Sequence, residues 1–242
     1  MRFLLALFPI CAFAQSGIDR PHLGLMLDRE GQMRPVFGVA GNFLTGRGAG
    51  RALAIACSQS GCVAKLKDSI VSAGAVIPTP PGPAVIGLDS TGTVVYFRSQ
   101  KRFARLQAGS LTFLDQTILD QTSDGEVLSV RSNPPEIAIA ARREDGIRIM
   151  TVEGAVLDFL PPESRTALLL SDAVVYATAD TLVLRRADGS ELKFPAPGVR
   201  DLFAMGDGWV EARAAGAIYA LRTDPGREHV YFLPESGGDG QR

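Results

Sequence analysis

The chain has 242 residues, of which 46% are hydrophobic and 21% are charged, and its formal net charge at pH 7 is −1. This composition supports a buried core and excludes an intrinsically disordered chain. Acidic and basic residues are interspersed without a basic block or stripe, so a nucleic-acid partner is not expected.

Residues 1–14 have the three parts of a cleavable secretory signal peptide. Arg2 supplies the positive charge, Phe3–Phe13 is an uncharged apolar run, and Ala12-Phe13-Ala14 places small residues where a signal peptidase cleaves. The run is too short to cross a bilayer, which takes about 20 residues. We therefore expect an exported protein, periplasmic or extracellular, whose mature chain opens with a polar lead-in at 15–21. An N-terminal core strand is the alternative. No later stretch reaches transmembrane length, so no membrane span is predicted in the mature chain.

The rest of the chain is a succession of short apolar runs with no long helical periodicity. One unit recurs, in which an apolar strand, a polar turn and a second apolar strand follow each other. The turns lie near residues 31, 68, 100, 154, 189 and 226, and four of the five spacings are 32 to 37 residues. Further apolar strands precede most of these hairpins, which gives about four strands per repeat.

Four short antiparallel strands per repeat, stacked so that neighbours bury each other's apolar faces, form the blades of a β-propeller. In the spacing of its strands and turns, the chain resembles exported bacterial β-propeller proteins with degenerate repeats. The six hairpins predict an all-β fold of about six blades in a single domain over 22–234, with five or seven blades as alternatives and a β-sandwich as the rival fold. Trp209 is the only tryptophan and no Trp-Asp dipeptide ends the repeats, so no known family's functional residues are carried over.

Three segments depart from the repeat. The interval from 100 to 154 is 54 residues long and holds an additional apolar run at Ser110–Leu114, which predicts an inserted hairpin or a hidden partial blade. The N-terminal hairpin at 23–37 lacks its first two strands, as in propellers that complete one blade from both chain ends. The C-terminal stretch 235–242 is polar and glycine-rich, and we expect a flexible tail.

Two cysteines remain after removal of the signal peptide, Cys57 and Cys62, and they bracket the turn Ser58–Gly61. Residues in these positions face each other across a hairpin, so a disulfide is predicted, with two free thiols as the alternative. Two cysteines without nearby histidines do not make a metal site, and no metal or cofactor is predicted.

The most distinctive loop consists of Pro78, Thr79, Pro80, Pro81, Gly82 and Pro83. Its prolines favour an extended conformation without internal hydrogen bonds. Two interpretations are open: a recognition strip on one face of the ring, or a stiff connector between two strands of a blade, which we favour.

No catalytic set is recognised in the sequence. The two histidines, His22 and His229, are interpreted as ordinary strand or chain-start residues, and no Gly-x-Ser-x-Gly motif is present. Several acids could serve glycoside cleavage if they converged on a cleft; they include Asp115, Asp120, Asp124 and Glu126. The pairs Arg142-Arg143 and Arg185-Arg186 lie near strand ends and could hold an anionic partner, although solvated strand ends are the default.

These patterns favour an exported binding or scaffold module that recognises a protein or a carbohydrate. A hydrolytic enzyme with acidic residues at the propeller channel is the first alternative, and a purely structural envelope protein is the second. Acids converging on the channel mouth would favour the enzyme, and a polar, loop-rich face would favour the module.

Overall fold

Twenty-three short strands and no helix make up the described part of the chain, which in the computed structural model comprises residues 21–89, 92–114, 125–133, 136–206 and 208–234. The strands form six antiparallel sheets, numbered here as blades 1 to 6 in chain order. In every sheet each strand pairs with its neighbours in the sequence, so the blades are simple meanders joined by short turns.

The strand bounds are as follows. Blade 1 comprises β1 (His22–Leu27), β2 (Met33–Val39) and β3 (Asn42–Thr45); blade 2 comprises β4 (Ala54–Ser58), β5 (Gly61–Lys65), β6 (Ser69–Ser72) and β7 (Ala75–Pro78). Blade 3 comprises β8 (Ala84–Asp89), β9 (Gly92–Phe97), β10 (Arg102–Gln107) and β11 (Ser110–Phe113); blade 4 comprises β12 (Glu126–Asn133), β13 (Glu136–Arg143), β14 (Gly146–Thr151) and β15 (Val156–Phe159). Blade 5 comprises β16 (Thr166–Leu169), β17 (Ala173–Ala177), β18 (Thr181–Arg186) and β19 (Glu191–Pro195); blade 6 comprises β20 (Val199–Gly206), β21 (Trp209–Ala214), β22 (Ile218–Arg222) and β23 (His229–Leu233).

The hydrophobic core is divided into six clusters, and each cluster lies between two adjacent blades. One of them joins blade 6 to blade 1, where Trp209 and Met205 pack with Met26 and Phe43. Since every blade shares a core with the blade on either side, the six sheets close into a ring. The chain is a six-bladed β-propeller, as predicted.

Both faces of a blade are buried, which explains why the strands read as continuous apolar runs. In β9, Val95 and Phe97 pack toward blade 2, whereas Val94 and Tyr96 pack toward blade 4. Side chains alternate between the two faces of a strand, so a strand in the middle of a blade needs apolar residues at every position.

Blade 1 differs from the other five in having three strands. Arg213, opposite the start of β20, donates to the carbonyl of Leu27 at the end of β1, and the start of β1 lies against Met205 and Gly206 at the end of β20. Strand β1 therefore runs antiparallel to β20, as the second strand of a four-stranded blade does. Strand β20 also packs directly against β4. Within the described residues, the innermost strand is the one that blade 1 lacks, and the expectation of two missing strands was wrong because β3 follows the hairpin.

The long interval between turns 100 and 154 also has a different cause from the one predicted. When strand positions are counted as in a four-stranded blade, the turns near 31, 68 and 100 lie before the third strand. The turns near 154, 189 and 226 lie after the third strand. The run at Ser110–Phe113 is β11, the ordinary outer strand of blade 3. The described part of the interval thus contains no inserted hairpin, and residues 115–124 lie outside the described ranges.

The predicted signal peptide (1–14), most of the lead-in (15–21) and the tail (235–242) lie outside the described residues and remain predictions, as does the single-domain boundary at 22–234. Within the described ranges there is no helix long and apolar enough to cross a membrane.

Candidate functional site

Five inner strands, the first strands of blades 2 to 6, surround a central channel. Two cavities lie end to end along it, and both are lined by Ile86, Leu168 and Ala204. The larger cavity, of about 680 Å³, is lined by the C-terminal ends of the inner strands and the turns that follow them, and is called the wide mouth. The smaller cavity, of about 310 Å³, is lined by the N-terminal ends and is called the narrow mouth. The three shared apolar residues form the waist between them.

Two arginines of the wide mouth bond adjacent blades together. Arg131 of blade 4 donates through Nη1 to the carbonyl oxygen of Leu170 in blade 5, at 3.0 Å. Arg186 of blade 5 donates through Nη2 to Glu228 Oε1 of blade 6, at 2.8 Å, and through Nη1 to Asp172 Oδ2, at 3.3 Å. The Arg186 side chain is only 16% exposed, so both arginines serve the ring as well as lining the cavity.

The other charged group at this mouth is Asp224, which is held by Arg222 at 2.7 Å. A Cβ at Gly208, where φ is +63°, would lie 2.2 Å from Asp224 Oδ1, so glycine leaves the room that this carboxylate occupies. Trp209 lines the same wall and is 7% exposed. Among the described residues of the lining, the charged ones are Arg131, Arg186, Asp172 and Asp224, so the described lining carries no net charge.

The hairpin between β4 and β5 completes the wide mouth. Cys57 and Cys62 are directly opposite each other in the register and form a disulfide, which confirms the predicted pairing. The turn beyond them contributes Ser58, Gln59 and Ser60 to the lining, and the two serine hydroxyls are hydrogen-bonded at 2.8 Å. This part of the rim therefore offers hydroxyl and amide groups on a covalently closed turn.

The narrow mouth has a different arrangement of charge. Glu126 accepts one bond from Arg98 and one from Arg142, each at 2.7 Å and each to a separate carboxylate oxygen. Arg142 also donates to the carbonyl oxygen of Arg165 in blade 5. The side chains of Arg98 and Arg142 are 39% and 44% exposed. Blades 3, 4 and 5 are thus linked around this mouth by groups that still face solvent.

Two inner strands have β-bulges at the narrow mouth. In β12, Val127 and Ser129 pair with consecutive residues of β13, which leaves Leu128 as the extra residue. In β20, Val199 and Asp201 pair with consecutive residues of β21, which leaves Arg200 as the extra residue. Bulges re-aim side chains, and both extra residues line the narrow mouth.

A buried carboxyl group lies behind the narrow mouth, between blades 6 and 1. Glu211 is fully buried and pairs across the strands with Phe203, which lines the cavity. Arg213 Nε donates to Glu211 Oε1 at 2.5 Å, while Glu211 Oε2 has no hydrogen-bond partner among the described residues. Burial raises the pKa of Glu211, and Arg213 opposes the rise only in part.

The proline loop is a pinned connector on the same face as the narrow mouth. It joins β7 of blade 2 to β8 of blade 3, not two strands of one blade as expected. Thr79 and Gly82 donate backbone N–H groups to the carbonyls of Asp68 and Lys67, at 2.9 Å each. The buried ammonium group of Lys65 donates to the carbonyls of Leu66 and Lys67 and so holds this part of blade 2 in place. Burial lowers the pKa of Lys65. A recognition role for the loop 78–83 remains a prediction.

The structure brings together only some of the residues singled out in the sequence. Glu126 and Arg142 meet at the narrow mouth and Arg186 lines the wide mouth, whereas Asp115, Asp120 and Asp124 lie outside the described residues. His229 lies exposed on an outer strand, and His22 packs against Phe37. Sequence reasoning missed Arg131, Asp172 and Arg200, which carry no motif. In the described ranges no group of three or more His, Cys, Asp or Glu side chains is placed to hold a metal ion.

No protein-family model matches the chain, and no curated protein matches its sequence. Solved structures do resemble it. A mutant of the Aleuria aurantia lectin, in complex with alpha-methyl-L-fucoside, has a TM-score of 0.54 and 13% identity over 89% of this chain and 91% of the lectin. A protein of unknown function from Bacteroides caccae has a TM-score of 0.51 and 11% identity over 84% of this chain and 90% of its own. At these identities the likeness shows the fold alone.

Proposed function

We propose that the protein is an exported binding module that takes a neutral, hydroxyl-rich ligand, a saccharide, in the wide mouth of its channel. The observation that carries this proposal is a cavity of about 680 Å³ at the centre of the ring, in which the charges of the described lining residues balance. Its volume is within the range of small-molecule sites, roughly 300–1,000 Å³. A lining without net charge favours a ligand without net charge.

The composition of the lining supports a saccharide. The lining combines the Ser58–Ser60 turn, the carboxylates of Asp172 and Asp224, and Trp209. Hydroxyl groups of a sugar can donate to the carboxylates and accept from the serine and glutamine side chains. The Aleuria aurantia lectin, which has the same fold, was solved with a bound fucoside, and a carbohydrate ligand is consistent with that use of a propeller.

The alternatives from the sequence are less well supported. A hydrolytic enzyme requires a pair of carboxyl groups arranged about a bond, whereas Asp172 and Asp224 each bond to an arginine of the protein. A purely structural envelope protein requires no cavity.

Export is supported by the Cys57–Cys62 disulfide, because such bonds persist in oxidising compartments. Intact mass of the secreted protein tests it: a mature chain lacking residues 1–14 and resisting alkylation until reduction is expected, and a retained Met1 with free thiols contradicts it.

A glycan array followed by isothermal titration with the strongest binder tests the function. Asp172→Asn and Asp224→Asn should each weaken binding by about tenfold, because a hydrogen bond to a charged group is lost. Glu153→Gln is the matched control, since Glu153 is an exposed acid in the turn between β14 and β15 and does not line the cavity. Loss of affinity equal in all three variants, or no glycan bound at all, refutes the proposal, and cleavage of the glycan favours the enzyme.

A further inference from the structure

We propose that the narrow mouth is a second binding site, which takes an oxyanion (the carboxylate, sulfate or phosphate group of a ligand) with Arg200 as its principal contact. The site lies at the opposite end of the channel from the wide mouth. It rests on different residues from the proposed saccharide site and does not depend on that site being occupied.

Arg200 is an arginine of the narrow mouth that pairs with no described group of the protein. It is exposed and lines the cavity, and within the described ranges no hydrogen bond or ion pair engages its guanidinium. It is also the extra residue of the bulge in β20. A guanidinium offers five N–H donors in a planar fork that matches carboxylate, sulfate and phosphate oxygens. An inner strand that adds a residue at the rim and leaves its charge free provides a donor group for a ligand.

Arg98 and Arg142 add to the positive potential at the same mouth. Each gives one Nη1 group to the same carboxylate, that of Glu126, which holds the two guanidinium groups on either side of it. Among the described residues, three arginines thus line this cavity against two acids, Glu126 and Asp201. The described lining of the wide mouth, with two of each, has no such excess.

The surroundings limit what can bind there. The cavity of about 310 Å³ ends at the apolar waist formed by Ile86, Leu168 and Ala204. It accommodates an anionic group and the ring or chain that carries it. Glu211 behind the wall adds little opposing charge, since it is ion-paired with Arg213. Positive charge in a partly closed cavity is screened less than on an open surface.

Titration with inorganic sulfate, followed through the Nε–Hε resonances of ¹⁵N-labelled protein, tests the site. The Arg98 signal should shift to saturation with sodium sulfate and not with sodium chloride of equal ionic strength. Arg200→Gln should raise the sulfate midpoint about tenfold, because charged hydrogen bonds are lost. Arg47→Gln is the control, since Arg47 is exposed but does not line the cavity, and it should leave the midpoint unchanged. Asp172→Asn should also leave it unchanged, which separates this site from the proposed function.

A shift that rises linearly with sulfate, or the same midpoint in Arg200→Gln as in the unmodified chain, overturns the proposal. A second series compares glucuronate, glucose 6-sulfate, glucose 6-phosphate and glucose. The strongest of the three anions identifies the preferred group, and neutral glucose binding as tightly as all three contradicts an oxyanion site.

Discussion

Arginine has different roles at the two mouths of the channel. At the wide mouth, Arg131 and Arg186 bond to carbonyls and carboxylates of the next blade, so they act as joints in the ring. At the narrow mouth, Arg200 has no acceptor in the described part of the protein and Arg98 is still 39% exposed. By this comparison, an arginine at a propeller mouth is a candidate ligand contact only where the described protein does not itself satisfy its charge.

The walls behind the mouths differ as well. The wide mouth is lined on one side by the disulfide-bonded hairpin of blade 2. The narrow mouth has the buried carboxyl of Glu211 behind it and the hydrogen-bonded connector between blades 2 and 3 beside it. Both depend on the same five inner strands. A change in those strands should therefore affect both mouths, and a change at one rim should affect only that mouth.

The largest effect is expected from Gly87→Ala in β8. A Cβ at Gly87 would lie 2.2 Å from the carbonyl oxygen of Val130 on β12, so these two inner strands would have to separate. We expect a loss of about 3 kcal/mol in the free energy of unfolding, typical of severe overpacking, together with weaker binding at both mouths. Urea unfolding measures the first and the two titrations measure the second.

Gly216→Ala is the control for this variant, because a Cβ there meets nothing within 4 Å and its φ is not positive. It should change stability by no more than about 0.5 kcal/mol. Equal effects of the two substitutions would show that the inner strands are not in close contact at Gly87, and that the two mouths do not share a rigid wall.

Much of the fold could be predicted because the sequence encodes it locally. Runs such as Val94–Phe97 are apolar at every position since both faces of a blade are buried, and turn residues separate them. The position of each turn within its blade could not be predicted in this way. A turn before the third strand of a blade and a turn after it have the same composition, so Ser110–Phe113 was interpreted as an insertion when it is the outer strand β11.

The candidate sites were much less predictable. The Cys57–Cys62 pair was recognisable because both partners lie in one hairpin. By contrast, the groups at each mouth come from five blades that are far apart in the sequence, and no motif links them. The bulge that places Arg200 at the rim depends on the register between β20 and β21, which a single sequence does not reveal.

A pH-dependent effect of intermediate size is expected behind the narrow mouth. The folded-state pKa of Glu211 is raised above its ordinary value of 4.5. At pH values between the ordinary pKa and the raised pKa, the unfolded chain has lost this proton while the folded chain retains it. The contribution of Glu211 to stability is therefore complete below pH 4.5 and falls as the pH rises through this window. The fall is about 1.4 kcal/mol for each pH unit within the window.

Glu211→Gln should remove this pH dependence, because the amide does not titrate and its oxygen can still accept from Arg213. Thermal unfolding from pH 4 upward measures the effect, with Glu153→Gln as the exposed control that should keep the slope of the unmodified protein. A slope that persists in Glu211→Gln would assign the titration to another group and leave the narrow mouth without a buried proton behind it.

The smallest effect separates the two mouths most directly, because one chemical change is made at each. Arg186→Gln removes bonds to Glu228, to Asp172 and to the Thr223 carbonyl, and should lower the free energy of unfolding by about 1 kcal/mol. Arg200→Gln removes no bond within the described structure and should change it by less than about 0.5 kcal/mol. Urea unfolding of both variants in sulfate-free buffer makes the comparison. If Arg200→Gln is as costly as Arg186→Gln, Arg200 is also a joint of the ring and the narrow mouth loses its free donor. If only Arg186→Gln is costly, the guanidinium of Arg200 is held at the rim without serving the fold, as a ligand contact requires.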